Sequence, residues 1–293
     1  MSIKRSGVFV FGLLAFAVLA FVGGSATAKP VKVWETSGFK APESTVYDAK
    51  RDMFYVSNVN GSPSEKNGKG FLSKLKSDGS LARLTWIVGM NGPKGMVIDG
   101  DRLYVSDIDS LHVIDIEKGK IIKTYTAPKS KFLNDTAVDG AGRVYVSDMA
   151  DNAIYRLDGG NFTLWLKSDA LEFPNGLTVQ GDRLLVASWG VMTEGFSTKV
   201  PGHLKSVSLT TKEIISLGDG SPVGNLDGLE PDGPAYLVTD WMSGGLMRIA
   251  ASGKAELLLD LKQGSADLEF IEAKRLAVIP MMLDGKVTAF KIN

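Results

Sequence analysis

Cysteine is absent from the 293 residues, and histidine occurs only twice. No disulfide framework, thiolate metal centre or cysteine-linked lipid anchor is therefore available. Helical periodicity is missing too, because no run beyond residue 28 repeats apolar side chains at 3.6-residue spacing. Nucleotide-binding and nucleophile signatures are also lacking. "NGKGFLSK" has glycine and lysine without the spacing of a phosphate loop, and no G-x-S-x-G elbow occurs. Charge of one sign is not in excess, with 33 basic against 33 acidic side chains.

The one long apolar run lies at the start. Lys4 and Arg5 precede an uninterrupted stretch from Val8 to Val22, and "ATA" ends at Ala28. This is the three-part layout of a secretory leader, with cleavage expected before Lys29. The run is short for a bilayer span and carries no charge on its far flank. The expectation is an exported chain, periplasmic or else fully secreted, with no membrane attachment after cleavage. Loss of the leader removes two cations and leaves 31 basic against 33 acidic groups. That balance gives no electrostatic footprint for nucleic acid. Residues 29–293 are long enough for one large domain stabilised by burial alone.

What the rest of the chain has is repetition. "YVS" recurs at 55–57, 104–106 and 145–147, with "LVAS" at 185–188, "YLVT" at 236–239 and "LAVI" at 276–279. The shared valines, Val56, Val105, Val146, Val186, Val238 and Val278, are 40 to 52 residues apart. A turn such as "DGDR" or "DGAGR" precedes each, and a short alternating segment follows. Six strand-rich units of about this length predict an all-β, six-bladed β-propeller. The last unit has three strands before Asn293, and "VKVWET" at 31–36 is unassigned. That segment is expected to close the last blade and remove an exposed edge.

The repeats also explain an oddity in "FLNDTAVDGAGRVYVSD", residues 132–148, where a buried strand opens on Asn134 and Asp135. Five residues before each turn stand Glu43, Lys94, Asn134, Asn175, Asp227 and Asp267. All six are polar, and in a propeller they start the strands that line the central channel. Three carboxylates and one ammonium give this ring a formal charge of −2. Such charge in a poorly hydrated channel calls for neutralisation, and a divalent cation on the axis would supply it. Carboxylate and amide oxygens suit calcium, and magnesium or manganese less well; zinc would recruit histidine or cysteine. The competing reading is that these side chains satisfy backbone groups or turns around a water-filled channel. His112 and His203 are expected to be structural.

"APEST", "NDTAVDGAGRVYVSD", "PNGL" and "LDGLEPDG" together resemble the senescence marker protein/gluconolactonase family of six-bladed propellers, from about residue 39 to the C-terminus. The resemblance implies calcium- or zinc-assisted lactone hydrolysis. It implies Glu43, Asn175 and Asp227 as metal ligands, Asn134 as ligand or substrate contact, and Asp227 as base or nucleophile. The chain departs from the pattern at Phe132, where sugar lactonases often carry an arginine. The histidine pair of related paraoxonases has no counterpart.

The expected chemistry is hydrolysis of a lactone or simple ester, with a small-molecule substrate and with Asp227, or secondarily Asp267, acting on water. Lys94 is expected to pair with Asp267. Asp148, Trp189 and Asp240 follow second strands and are expected on the pocket wall beside Lys94 and Asp267. The long connections 58–70 and 189–202 are expected to cover the site from opposite blades. The alternative is a calcium-stabilised propeller that binds a ligand or protein without catalysis.

Overall fold

The computed structural model describes residues 1–3 and 29–293. The basic and apolar parts of the expected leader, within 4–28, lie outside the described residues. Among the described residues there are only strands and three short 3-10 turns, and no helix is long and apolar enough to cross a membrane.

The strands form six four-stranded antiparallel sheets, the blades of a propeller. Five blades are built in simple chain order, starting at inner strands β2 (Pro42–Asp48), β6 (Met96–Asp99), β10 (Leu133–Val138), β14 (Pro174–Gln180) and β18 (Leu226–Asp232). The sixth starts at β22 (Glu269–Ile271), continues through β23 (Leu276–Met281) and β24 (Lys286–Lys291), and takes its outer edge from β1 (Val31–Ser37). Val31 pairs with Lys291 and Ser37 with Lys286, so the two ends of the chain are joined by one ladder. An exposed strand edge is thereby covered where the ring would otherwise be open.

The "YVS" alternation explains why blades pack on both sides. Tyr55 belongs to the apolar cluster shared with the second blade, and Val56 to the one shared with the sixth. Tyr145 and Val146 divide in the same way between the fourth and second blades. Six such clusters fill the six interfaces. Burial of alternate faces against two neighbours is what period-two patterning with apolar residues on both faces produces.

The repeated hydroxyl at the end of "YVS" is a stitch between blades. Ser147 Oγ accepts from Asp135 N at 2.9 Å and donates to Asn175 O at 2.8 Å. Thr239 Oγ1 accepts from Gly228 N at 2.8 Å and donates to Ala266 O at 2.9 Å. Ser106 Oγ likewise donates to Asn134 O. Each hydroxyl fixes the inner strand of its own blade against the next, at the depth of the polar ring.

Candidate functional site

In four blades the ladder between first and second strands breaks at the same place. The register shifts fall between Pro42 and Thr45, Leu133 and Thr136, Pro174 and Leu177, and Leu226 and Leu229. The residues released are Glu43, Asn134, Asn175 and Asp227 with their successors. A local irregularity of this kind re-aims a side chain out of the sheet pattern. Backbone groups freed there bond across blades instead: Asp267 N donates to Glu43 O at 2.9 Å, and Gly95 N to Asn134 O at 3.1 Å.

The glycines that follow Lys94, Asn175 and Asp227 are not turn residues. None has positive φ. A Cβ on Gly176 would stand 2.0 Å from Asp227 O, one on Gly228 2.4 Å from Leu268 N, and one on Gly95 2.5 Å from Asp135 Cα. The "KG", "NG" and "DG" pairs thus mark where neighbouring inner strands approach too closely for a side chain.

Glu43, Lys94, Asn134, Asn175 and Asp227 converge on one cavity of about 320 Å³ at the channel mouth, all five buried. Asn134 Nδ2 donates to Asn175 Oδ1, and Asn175 Nδ2 to Leu226 O at 3.3 Å. Burial, then the charges of Asp227 and Asp267, push the Glu43 carboxyl well above its usual range, against Lys94. Burial and Asp267 raise Asp227 similarly, against a hydrogen bond from Asn175. Burial lowers the Lys94 ammonium to about 8, against Glu43 and Asp107.

These residues fit a divalent cation. Glu43 Oε2 is buried without a hydrogen-bond partner, although buried carboxylate oxygens are ordinarily satisfied. It faces a cavity floor otherwise supplied by a second carboxylate and two amide groups, the hard oxygen donors that calcium takes. Among the described residues no group of three or more His, Cys, Asp or Glu side chains is placed to hold an ion. The floor is a mixed set, two carboxylates with two amides, and so is not a group of that kind.

Three expectations are corrected. Asp267 occupies the ring register but lines a second chamber of about 240 Å³ along the channel, with Asp135, Glu230 and Glu269. Its Oδ2 accepts from Ser44 Oγ at 2.6 Å, which turns it inward. Burial raises its carboxyl to about 7, against that hydrogen bond. Lys94 forms no ion pair with Asp267 among the described residues. Its Nζ donates to Gly92 O at 2.9 Å and lies 4.4 Å from the centroid of the Phe132 ring.

Asp148 and Asp240 do not line the cavity. Asp148 accepts from Lys131 N and Phe132 N, both at 2.9 Å, and Asp240 from Asn225 N, Met242 N and Ser243 N. Asp107 clamps Asn91 N and Gly92 N in the same manner, each at 2.7 Å. Carboxylates at this position anchor the chain entering their own blade. His112 leans on Asp107 and Thr124, while His203 contacts Glu172; neither lines the cavity.

Trp189 does line it, with Nε1 donating to Phe196 O at 2.9 Å. Both long connections contribute, through Gly61 and Pro63 on one side and Trp189 and Phe196 on the other. Phe132, where sugar lactonases often carry an arginine, lines the wall, and the wall residues that motif reading missed are Met149, Trp241, Met282 and Leu283. A signal for some of them exists. Three residues after each shared valine stand Val59, Ile108, Met149, Trp189, Trp241 and Met281, all apolar, and three of these face the cavity.

The sequence matches the family model described as SMP-30/Gluconolactonase/LRE-like region over residues 41–263. No curated protein sequence matches the chain. Among solved structures, a gluconolactonase from Xanthomonas campestris is similar, with TM-score 0.66 and 12% identity over 92% of this chain and 96% of that one. A catalytically inactive histidine-to-alanine variant of virginiamycin B lyase from Staphylococcus aureus, with quinupristin, has TM-score 0.58 and 13% identity, covering 89% of this chain and 99% of that one. A streptogramin B lyase has TM-score 0.60 and 11% identity over 89% and 98%. At such identities the structural likeness shows the propeller fold alone.

Proposed function

The chain belongs to the SMP-30/gluconolactonase/LRE-like family, and from that premise we propose a metal-dependent hydrolase of lactones or simple esters. The observation that carries the reading is the unpartnered Glu43 Oε2 on a floor shared with Asp227, Asn134 and Asn175. These four residues would hold one divalent cation, calcium by donor type. When bound, the ion would polarise the substrate carbonyl and favour the oxyanion.

The chain's own groups supply the rest. Two carboxylates stand on the cavity floor, Glu43 and Asp227. In this reading, following the role the family resemblance implies, Asp227 gives one oxygen to the ion and takes the proton from attacking water with the other. Asp267 is excluded from that task by its inward hydrogen bond to Ser44. Lys94 offsets the Glu43 charge from within the floor. The apolar wall beside the floor would reduce the water around the reacting carbonyl. A histidine-dependent lyase route has no residue to use, since His112 and His203 are both engaged elsewhere. The leader-like segment 1–28 supports export, with the periplasm as the proposed destination.

Purified protein assayed on a panel of lactones and aryl esters, with and without chelator, tests this reading. Turnover lost on chelation, restored by calcium and reduced on the order of 10³-fold in Asp227→Asn is the expected result. Cation binding without turnover on any member would instead identify a calcium-stabilised binding propeller.

A further inference from the structure

The cavity divides sharply by chemistry. Charged and amide groups are confined to its floor, whereas the wall above is built by Phe132, Met149, Trp189, Phe196, Trp241 and Met282. The ring of Trp189 is 6.0 Å from that of Phe196 and 6.0 Å from that of Trp241, so the three form one continuous aromatic side. The indole N–H of Trp189 is already spent on Phe196 O. Phe132 covers Lys94, whose ammonium is turned to a backbone carbonyl. Among the described residues, no charged side chain stands on the wall to grip a carboxylate or a row of hydroxyls. The rim is apolar but open: Phe196 is 46% exposed and Leu283 60%.

Resting on the hydrolase reading of this site, we infer that its substrates are lactones or esters with an aromatic or otherwise apolar carbon skeleton. A polyhydroxylated sugar lactone would bring hydroxyls to a wall that cannot hydrogen-bond them, and each would lose its water without replacement. A flat apolar ring would instead stack against Trp189 and Trp241 while its carbonyl reached the floor. It would also cover the exposed part of Phe196. The cavity volume, at the small end for ligand sites, admits a bicyclic or short-chain compound and not a macrocycle. Trp241, Trp189 and Phe196 are the residues that set this preference, from three positions distinct from the proposed ligands.

Binding and turnover are measured separately, so that the two readings fail separately. The calcium-loaded protein is titrated with 3,4-dihydroquinolin-2-one, a non-hydrolysable lactam, and with gluconolactam, by calorimetry and by tryptophan fluorescence. Hydrolysis of dihydrocoumarin and of glucono-1,5-lactone is followed in parallel. The expected result is at least tenfold tighter binding of the aromatic lactam and at least tenfold higher kcat/KM on dihydrocoumarin. Trp241→Ala and Phe196→Ser are expected to reduce that preference at least threefold, while Trp241→Phe retains it. Phe196→Ser alters an exposed ring, so a folding failure of the tryptophan variant does not remove the test. Equal or tighter binding of gluconolactam, no binding of either lactam, or unchanged preference in Phe196→Ser overturns the inference. Faster turnover of the sugar lactone overturns it and leaves the hydrolase reading standing. Tight aromatic binding with no turnover of any lactone or ester in the panel overturns the hydrolase reading and, with it, the inference as a statement about substrates, leaving only a ligand preference of the cavity.

Discussion

The side-chain amide of Asn134 donates from Nδ2 to Oδ1 of Asn175, joining the third and fourth blades at the channel mouth. Asn175 is oriented for this by its own Nδ2, which donates to Leu226 O on the fifth blade. Its Oδ1 is therefore held towards Asn134 by a backbone contact, independently of any ligand. Such preorganisation would reduce the rearrangement required by the proposed ion.

If Glu43 holds the proposed ion, it sets stability against ion binding. Its buried carboxylate faces Asp227 and Asp267, and its charge is unfavourable there unless an ion neutralises it. In chelator, Glu43→Gln is expected to unfold at higher temperature than the natural chain, by about 1 kcal/mol or a few degrees. With calcium at a hundred times its dissociation constant, the natural chain gains about 2.7 kcal/mol and the variant far less. Thermal denaturation with and without calcium checks both signs.

Gly176 tests the close approach of blades four and five. A Cβ there meets the backbone oxygen of Asp227 at 2.0 Å, and backbone cannot rotate away as a side chain does. Gly176→Ala is expected to cost about 3 kcal/mol. The same substitution at Gly181, where nothing stands within 4 Å but φ is +61°, is expected to cost about 1 kcal/mol from backbone strain alone. Urea denaturation midpoints would distinguish them.

Asp107 gives a pH signature. Burial alone would raise its carboxyl, but His112 and the N–H groups of Asn91 and Gly92 hold it down to about 2, from an ordinary 3.8. A carboxylate with a lowered folded value contributes stability that is complete above about pH 4 and is lost as pH falls through 2. The loss expected over that window is about 2 kcal/mol. Denaturant titrations between pH 5 and 2 should show it in the natural chain and a flatter profile in Asp107→Asn.

Much of this architecture was legible because the repeat imposes one register on six independent copies. The valine spacing identified the blades, and counting back from the turns found the polar ring through Glu43 and Asn175. The N-terminal strand was legible as the partner of an incomplete sixth unit. Three features were not. Asp267 has the ring register, but which way its side chain turns depends on Ser44, a residue on another blade. Asp148 and Asp240 read as wall residues because position along a strand says nothing of which N–H groups claim a carboxylate. Trp241 and Met149 share an apolar register position with Trp189, a pattern visible in the sequence only once hydrophobic positions are aligned as carefully as polar ones.

Oxygens from Glu43, Asn134, Asn175 and Asp227 surrounding one cation at the channel mouth are what the proposed chemistry depends on. Anomalous difference density from crystals grown in calcium, or with terbium in its place, tests this most directly. The expected result is a single strong peak on the cavity floor, within about 2.3–2.6 Å of those oxygens for calcium, and its loss in Glu43→Gln. A floor without a peak at saturating ion, or a peak held by the inner chamber's Asp135, Glu230 and Glu269 instead, would contradict it.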